Sequence, residues 1–285
     1  MTDILLTGLA FGESPRWRGG RLWVSDWGAQ EILAVDTRGH AEVAVKVGFP
    51  AFPMCIDWLP GEGSCASLLI VNSTAGLLLR RGPDGELVTY ADLSGIRQHS
   101  WNDIVVDGRG NTYVNSAGIR GADGQFSPGL VALVTPDGTV RQVADDLAFA
   151  NGMAVTPDNH TLIVAESHGN ALTAFDIAAD GSLSSRHTWA DLGDDHPDGI
   201  CIDAEGAVWY ADVANKHCVR VAEGGEVLQK VTADRGCFAC MLGGEDRKTL
   251  FIVAQDWRGF DNMNDGSRTG QVLTADAPAP GAGWP

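Results

Sequence analysis

Four side chains that offer an oxygen ligand recur at one position of a repeated sequence pattern. Each stands at the head of an apolar run that turns and then runs apolar again. Carboxylate and amide oxygens are the ligands that hard divalent cations prefer, and two carboxylates would neutralise one M²⁺. Taken singly, each residue could instead cap a turn, as Asn and Asp commonly do. The set is Glu13, Asn102, Asn151 and Asp198.

The pattern repeats six times, with steps of 40 to 49 residues between successive heads. Gly, Asn and Asp mark a tight turn inside the units, and further short apolar runs follow. Four short strands in a unit of this length are typical of a propeller blade. We therefore predict an all-β fold, a six-bladed β-propeller with four antiparallel strands in each blade. The heads are Glu13, Pro53, Asn102, Asn151, Asp198 and Phe238.

The last unit has no fourth strand of its own and ends in APAPGAGWP. The N-terminal run DILLTG precedes the first innermost strand and has no other place in the pattern. An open ring would leave sheet edges bare, so we predict that Asp3–Thr7 pairs into the last blade and closes the ring. The whole chain, residues 1–285, is then expected to form a single propeller domain.

In an up-and-down blade, the start of the innermost strand and the end of the second strand lie on the same face. Innermost strands line the central axis, so the four oxygen-bearing heads are predicted to point into one funnel. The second-strand ends add polar residues around the same rim, with Asp212 among them. We predict that some of these residues orient the ligands from outside, as outer partners at metal sites do. The candidates are Asp26, Glu166, His168 and Asp256.

The composition argues against several classes of partner. Asp and Glu number 37 against 20 Lys and Arg, and the formal net charge of −17 repels nucleic acid and anionic membranes. The start has no signal-peptide pattern and no apolar run is long enough to span a bilayer, so a cytoplasmic location is expected. The six cysteines are expected to be reduced thiols. The Cys237–Cys240 pair has no second pair with which to hold structural zinc.

Four segments resemble the hallmark segments of the SMP-30/gluconolactonase family, which includes regucalcin-like proteins. They are GESPRW, WND, NGMAVTPD and HPDGICID, and their order and spacing agree over nearly the whole chain. The resemblance implies a six-bladed propeller that hydrolyses sugar lactones with one divalent cation in its tunnel: Ca²⁺, Zn²⁺, Mg²⁺, Mn²⁺ or Fe²⁺. It implies that Glu13, Asn151 and Asp198 bind this cation directly. Asn102 would bind it directly or through water and touch substrate, and Asp198 would also act as general base.

The chain departs from the family pattern where substrate is expected to bind. Sugar-lactonase members often carry Arg at the place of Ser100, and the predicted rim is rich in aromatic residues. The small-molecule substrate is therefore predicted to be either a sugar aldonolactone or a more apolar lactone or ester, unless the aromatic residues only pack loops. A monomer or small homo-oligomer is expected. The predicted substrate contacts are Met54, His99, Ser100, Trp101, Phe126 and Phe149.

Two other functions stay open at this point. A phosphotriesterase of the diisopropyl-fluorophosphatase type would use a similar propeller and a similar oxygen-ligated metal. A calcium-binding regulatory propeller would bind the ion without turnover. Other chemistries have little support, because the sequence contains no G-x-S-x-G, H-E-x-x-H or G-x-x-x-x-G-K-[ST] motif.

Overall fold

The computed structural model describes residues 2–61, 68–263 and 265–285. These residues form six antiparallel sheets, the blades of a β-propeller, and a short 3₁₀ helix at Phe260–Asn262. The predicted all-β fold with six four-stranded blades is thereby confirmed. The described ranges contain no helix with the length and apolar content that crossing a bilayer requires.

The strands follow the chain from blade to blade, with the innermost strand first. The first strand, β1 (Asp3–Leu9), is the exception because it is the outermost strand of blade 6. Blade 1 contains β2 (Gly12–Arg18), β3 (Arg21–Asp26), β4 (Glu31–Val35) and β5 (Ala41–Lys46), and blade 2 contains β6 (Ile56–Trp58), β7 (Leu68–Asn72), β8 (Leu77–Arg81) and β9 (Leu87–Asp92). Blade 3 contains β10 (Trp101–Val106), β11 (Thr112–Ser116), β12 (Gly129–Val134) and β13 (Val140–Leu147), and blade 4 contains β14 (Ala150–Val155), β15 (Thr161–Glu166), β16 (Ala171–Ile177) and β17 (Leu183–Asp191). Blade 5 contains β18 (Pro197–Asp203), β19 (Val208–Asp212), β20 (His217–Val221) and β21 (Val227–Thr232), and blade 6 contains β22 (Gly236–Gly243), β23 (Thr249–Gln255) and β24 (Gly270–Asp276), followed by β25 (Gly281–Ala282).

The N-terminal strand closes the ring. Strand β1 pairs antiparallel with β24, from Asp3 opposite Thr274 to Leu9 opposite Gly270. Blade 6 thus takes three strands from the end of the chain and one from its start. The predicted closure by Asp3–Thr7 is confirmed, and it covers an edge that would otherwise stay unpaired.

The C-terminal tail has a place that the sequence pattern does not predict. Strand β25 adds to the inner edge of β18, where it pairs with Ile202 and Asp203. Beyond it, Trp284 exchanges two backbone hydrogen bonds with Val155, at 2.7 and 2.9 Å. These partners are the last residues of β18 and β14, so the tail lies at the end of the axis opposite the strand starts.

Neighbouring innermost strands approach each other closely around the axis. A Cβ on Gly152 would lie 2.5 Å from the carbonyl oxygen of Asp198, and one on Gly199 would lie 2.6 Å from the Cβ of Ala239. Real Cβ atoms do not approach so closely, so glycine is required where β14 meets β18 and where β18 meets β22. This contact brings Asn151 and Asp198, the residues before each glycine, next to each other.

The cysteines lie in the core. Five of the six fall in the described residues, and all five are buried free thiols, whereas Cys65 lies outside the described residues. Cys240 contacts both Cys201 and Cys218 in the apolar cluster between blades 5 and 6, which also contains Cys237. Within the described ranges, the Cys237–Cys240 pair therefore packs as small apolar side chains.

Candidate active site

The four predicted ligands come together at one end of the propeller axis. Each stands among the first residues of an innermost strand, and all four line the same cavity. The Nδ2 of Asn102 donates to the Oδ1 of Asn151 at 3.2 Å, and the side chain of Asn151 also bonds to the Asp198 carboxylate. Glu13 is only 8% exposed. Four blades thus contribute the oxygen set that a hard divalent cation prefers.

An irregularity in strand pairing lies beside each of these side chains. In blades 3, 4 and 5 the register between the innermost and second strands is interrupted where Asn102, Asn151 and Asp198 stand. In blade 1 the interruption follows directly after Glu13. A bulge bends a strand and re-aims a side chain, which explains how residues of a regular ladder come to face the axis. The dipeptides Asn-Gly at 151–152 and Asp-Gly at 198–199 are the sequence signal for two of these bulges.

Both carboxylates of the set lie where negative charge is disfavoured. Burial, followed by the charge of Asp103, raises the pKa of Glu13 to about 8. Burial, followed by the charges of Glu13 and Asp103, raises the pKa of Asp198 well above its ordinary value. The Arg16 guanidinium, which lowers the pKa of Glu13, lies 3.2 Å from Asp103. A further positive charge would relieve this repulsion, so the donor set fits a divalent cation.

Two uncharged residues support Asn151, one of the predicted ligands, and sequence reasoning did not select them. The hydroxyl of Ser167 accepts from the Nδ2 of Asn151 at 3.2 Å and donates to the carbonyl of Pro197 at 2.7 Å. The Nδ2 of Asn115 donates to the carbonyl of Asn151, and its Oδ1 accepts from the N–H of Asp103 at 3.0 Å. Both residues lie at second-strand ends, in the segments VNS and VAES, so their register was a usable signal.

The charged residues predicted as outer partners mostly hold loops. Asp26 accepts the N–H groups of Ala10 and Phe11, both at 2.9 Å, just before β2. Glu166 accepts the N–H of Ala148 at 2.6 Å, just before β14. The backbone N–H of a loop residue next to a buried strand needs a hydrogen-bond acceptor, and these carboxylates provide one. Through these backbone bonds they fix the loops that lead into the strands carrying the predicted ligands.

The other two predicted outer partners have different surroundings. Asp256 is exposed, with its carboxylate 3.9 Å from Arg258 and its N–H bonded to the hydroxyl of Thr269. His168 lines the cavity and lies against Phe149, with 4.5 Å between ring centroids. Burial, and then the charge of His196, lowers the pKa of His168. His168 is therefore part of the cavity wall.

A second polar cluster lies behind the loop that leads into β18. Ligand atoms of Asp195, Asp212 and His217 all fall within 4.8 Å of one another. The atoms are already bonded: Asp195 accepts from Tyr210 at 2.6 Å and contacts the Nε2 of His217 at 2.9 Å, and Asp212 accepts the N–H of His196 at 2.6 Å. The cluster thus fixes the loop that carries His196, two residues before Asp198.

The cavity above the four predicted ligands has a volume of about 460 Å³ and mainly apolar walls. Of the predicted substrate contacts, Ser100, Trp101, Phe126 and Phe149 line it. The other two, Met54 and His99, are not among the described lining residues. Met54 is fully buried, and His99 is exposed, with its Nδ1 2.9 Å from the hydroxyl of Ser100.

Two loops from opposite sides of the ring meet over the cavity. We call them the roof: residues 117–128, between β11 and β12 of blade 3, and residues 256–263 with 265–269, between β23 and β24 of blade 6. Arg120 and Asp261 join them with an ion pair of 2.8 Å, and the Arg120 guanidinium also lies over the ring of Phe260. The base of the first loop is held by Arg97, which donates to the hydroxyl of Ser116 at 2.7 Å. Sequence reasoning did not single out the following lining residues: Phe11, Trp27, Arg120, Trp257, Phe260 and Met263.

Comparison with known families agrees with this geometry. The sequence model of the family described as SMP-30/Gluconolactonase/LRE-like region matches residues 11–256. That range covers most of the chain and contains all four converging residues. The chain belongs to this family. The resemblance seen in the four motif segments is thereby confirmed.

Relatives of this SMP-30/gluconolactonase family member differ in their named activities. Regucalcin of Xenopus laevis is 27% identical over 291 residues, which cover 95% of each chain. The 6-deoxy-6-sulfogluconolactonase of Pseudomonas putida is 25% identical over 80% of this chain and 81% of its own. The diisopropyl-fluorophosphatase of Loligo vulgaris is 26% identical over 80% of this chain and 78% of its own. Family membership therefore leaves the substrate undetermined.

A solved structure of a luciferin-regenerating enzyme superposes on the family member with a TM-score of 0.82. The two are 19% identical, and the superposition covers 99% of this chain and 98% of the other. At this identity the likeness concerns the fold alone. It agrees with the six-bladed arrangement described above.

We expect the affinity of this family member for a divalent cation to fall as the pH is lowered from about 8 to about 5. Protons compete with the cation for Glu13, whose pKa burial raises to about 8, and for Asp198, whose pKa burial raises above its ordinary value. The dissociation constant should rise by up to about tenfold per pH unit for each proton that the metal displaces. Calorimetric titration with Mn²⁺ in two buffers of different ionisation enthalpy measures both affinity and protons released. Glu13→Gln should release fewer protons, and an affinity that is constant over this range would contradict the expectation.

Proposed function

We propose that this protein is a divalent-metal-dependent hydrolase that opens a lactone to the corresponding hydroxy acid. The observation that carries the proposal is the convergence of Glu13, Asn102, Asn151 and Asp198 at the base of one apolar-walled cavity. The relative that is named a sulfogluconolactonase supports the reaction class. A cavity of about 460 Å³ also has the size of an ordinary small-molecule site.

Glu13, Asn151 and Asp198 would hold the cation, and Asn102 would hold it directly or through water. When bound, the cation polarises the lactone carbonyl and stabilises the negative charge that develops on its oxygen. The apolar walls keep bulk water away from this charge, which strengthens every electrostatic interaction in the site. The wall residues therefore contribute to catalysis as well as to binding.

Asp198 is the proposed proton acceptor. Its carboxylate orients a water molecule and takes a proton from it as the water oxygen attacks the carbonyl carbon. Burial and neighbouring negative charges raise the pKa of Asp198. A bound cation would offset these effects, so Asp198 would be ionised and free to accept a proton. The proton then passes to the ring oxygen as the carbon–oxygen bond breaks, which leaves a carboxylic acid and a hydroxyl on the product. The carboxylic acid then releases its proton to solvent and becomes a carboxylate.

The diisopropyl-fluorophosphatase relative favours a second candidate, a phosphotriesterase that works at the same site. Such an enzyme would use the same oxygen ligands and apolar walls, with phosphorus in place of the carbonyl carbon. The geometry accommodates both reactions, so the distinction depends on turnover. A regulatory propeller that binds calcium without turnover is a third outcome.

The test is reconstitution of the chelated protein with Ca²⁺, Mg²⁺, Mn²⁺, Zn²⁺ and Fe²⁺ in turn. Each form is assayed against a lactone panel by proton release and against diisopropyl fluorophosphate by fluoride release. We expect metal-dependent hydrolysis of at least one lactone with a kcat/KM above that for the fluorophosphate. Faster fluoride release would favour the phosphotriesterase, and saturable ion binding with neither activity would favour the regulatory propeller.

A further inference from the structure

The walls of the cavity form a continuous belt of aromatic rings. Going around the belt, the distances between ring centroids of successive members are 5.3, 5.7, 5.2, 5.4 and 4.6 Å. Most of these contacts are edge-to-face, the arrangement that aromatic pairs prefer. The belt draws on the first, third, fourth and sixth repeats, including both roof loops, so it does not belong to the packing of any one blade. Its members in order are Phe11, Phe238, Trp257, Phe260, Phe126 and Phe149.

One ring of the belt is held there by an unusual backbone. Phe149 has a φ of 63°, in the left-handed region that bulky residues rarely adopt. Ser100, on another part of the wall, has a φ of 70°. Such conformations persist only where the surroundings enforce them, and they concentrate at ligand sites. The Phe149 ring packs against Phe126 and His168 at the cavity wall.

Several polar groups of the wall above the four predicted ligands are already engaged with protein. The Ser100 hydroxyl lies 2.9 Å from the Nδ1 of His99, and the Ser167 hydroxyl donates to Pro197. The Nδ1 of His196 lies 2.9 Å from the carbonyl of Ser167. Arg120 is paired with Asp261 in the roof. A substrate with many hydroxyl groups would therefore lose its hydrogen bonds to water and find few polar groups on the wall to replace them.

We propose that the cavity selects lactones whose ring carries an alkyl or aryl substituent over polyhydroxylated sugar lactones, with Phe126, Phe149 and Phe260 as the residues that determine this specificity. The proposal rests on the lactonase function proposed above and names its substrate class. The carbonyl end of the ring faces the four oxygen ligands, and the apolar substituent lies along the aromatic belt beneath the roof. A sugar lactone makes few favourable contacts with the aromatic belt and loses the hydration of its hydroxyl groups.

Two matched pairs of compounds test the proposal. The substrates are an alkyl-substituted δ-lactone and glucono-δ-lactone, and the binding probes are the corresponding δ-lactams, which resist hydrolysis. We expect kcat/KM for the alkyl lactone to exceed that for the sugar lactone by about 100-fold or more, since several apolar groups each contribute to discrimination. The alkyl lactam should also quench tryptophan fluorescence at lower concentration than the sugar lactam, with or without added metal.

Variants identify the determinants. Phe126→Ala and Phe260→Ala should each lower kcat/KM for the alkyl lactone by about tenfold and change the value for the sugar lactone by less than about threefold. Ile119→Ala is the control, because Ile119 lies in the same roof loop as Phe126, is 41% exposed and is not among the described lining residues. It should change neither value.

The outcomes separate this proposal from the lactonase function. Preferential binding of the alkyl lactam without turnover of any lactone would support the apolar specificity and overturn the hydrolase. Preference for the sugar lactone or its lactam would overturn the specificity and leave the hydrolase standing. Equal effects of Phe126→Ala and Phe260→Ala on both lactones would show that the two rings only stabilise the roof, and would overturn their assigned role.

Discussion

Asp198→Asn is expected to lower lactone turnover by about 10²–10⁴-fold, the range that general-base catalysis commonly contributes. The substitution keeps the shape of the side chain but removes its charge, so it can no longer accept a proton from water. It also removes one of the two negative charges that compensate a divalent cation. Turnover should be measured at saturating metal, so that weakened metal binding does not account for the loss.

The fold of Asp198→Asn should be unchanged, because the neutral amide relieves the repulsion from Glu13 that burial makes costly. Circular dichroism and the midpoint of thermal unfolding check this point. Asp194→Asn is the matched control, since Asp194 is exposed on the same loop. It should keep full turnover. Near-normal hydrolysis of several lactones by Asp198→Asn would remove Asp198 from the mechanism.

The convergence of the four oxygen-bearing residues on one cavity could be predicted because it depends on the repeat. A closed propeller brings equivalent positions of its blades to one axis, so aligning the six units is enough to place Glu13 beside Asp198. The strand that closes the ring follows from the same count, since blade 6 lacks one strand. Only register and symmetry enter these predictions, and both can be read from turn residues and apolar runs.

The direction of individual wall side chains could not be predicted in this way. Phe52 and Pro53 line the cavity whereas Met54, one residue further, is fully buried beneath it. Ser100 faces the cavity and His99 faces solvent for the same reason: a local turn of the backbone decides the direction. The roof loops are harder still, because irregular segments carry no periodicity that would show Phe260 and Phe126 meeting from opposite blades.

The residues that support the predicted ligands show a third limit of prediction from sequence. The sequence pattern selects charged residues at second-strand ends, but the amide of Asn151 is supported by the neutral Ser167 and Asn115. Asp26 and Glu166 instead satisfy loop N–H groups. A carboxylate and a buried N–H attract each other wherever they meet, so residue type alone does not reveal which acceptor serves the site and which serves the fold.

Arg16→Met is expected to lower the free energy of unfolding by about 3–5 kcal/mol, the cost of leaving a buried charge without its partner. Arg16 is 6% exposed and stands three residues after Glu13 on β2. Its guanidinium donates to Asp103 at 3.2 Å and to the carbonyl of Ile104 at 2.7 Å, and it lies 4.0 Å from Asp57. It therefore compensates two aspartates from the neighbouring blades 2 and 3.

Urea unfolding of the metal-free protein measures this effect, and Arg18→Met is the matched control. Arg18 is the same residue type two positions along β2, but its guanidinium lies over the ring of Trp58 at 5.4 Å near the surface. Its loss should cost about 1 kcal/mol or less, as exposed cation–π contacts do. Arg16→Met with Asp103→Asn should recover part of the stability, because the double variant removes one of the two aspartates that lose their partner. If Arg16→Met lowered the free energy of unfolding no more than Arg18→Met, the buried guanidinium of Arg16 would not be needed for stability. The charge balance assigned to Asp57 and Asp103 would then be wrong.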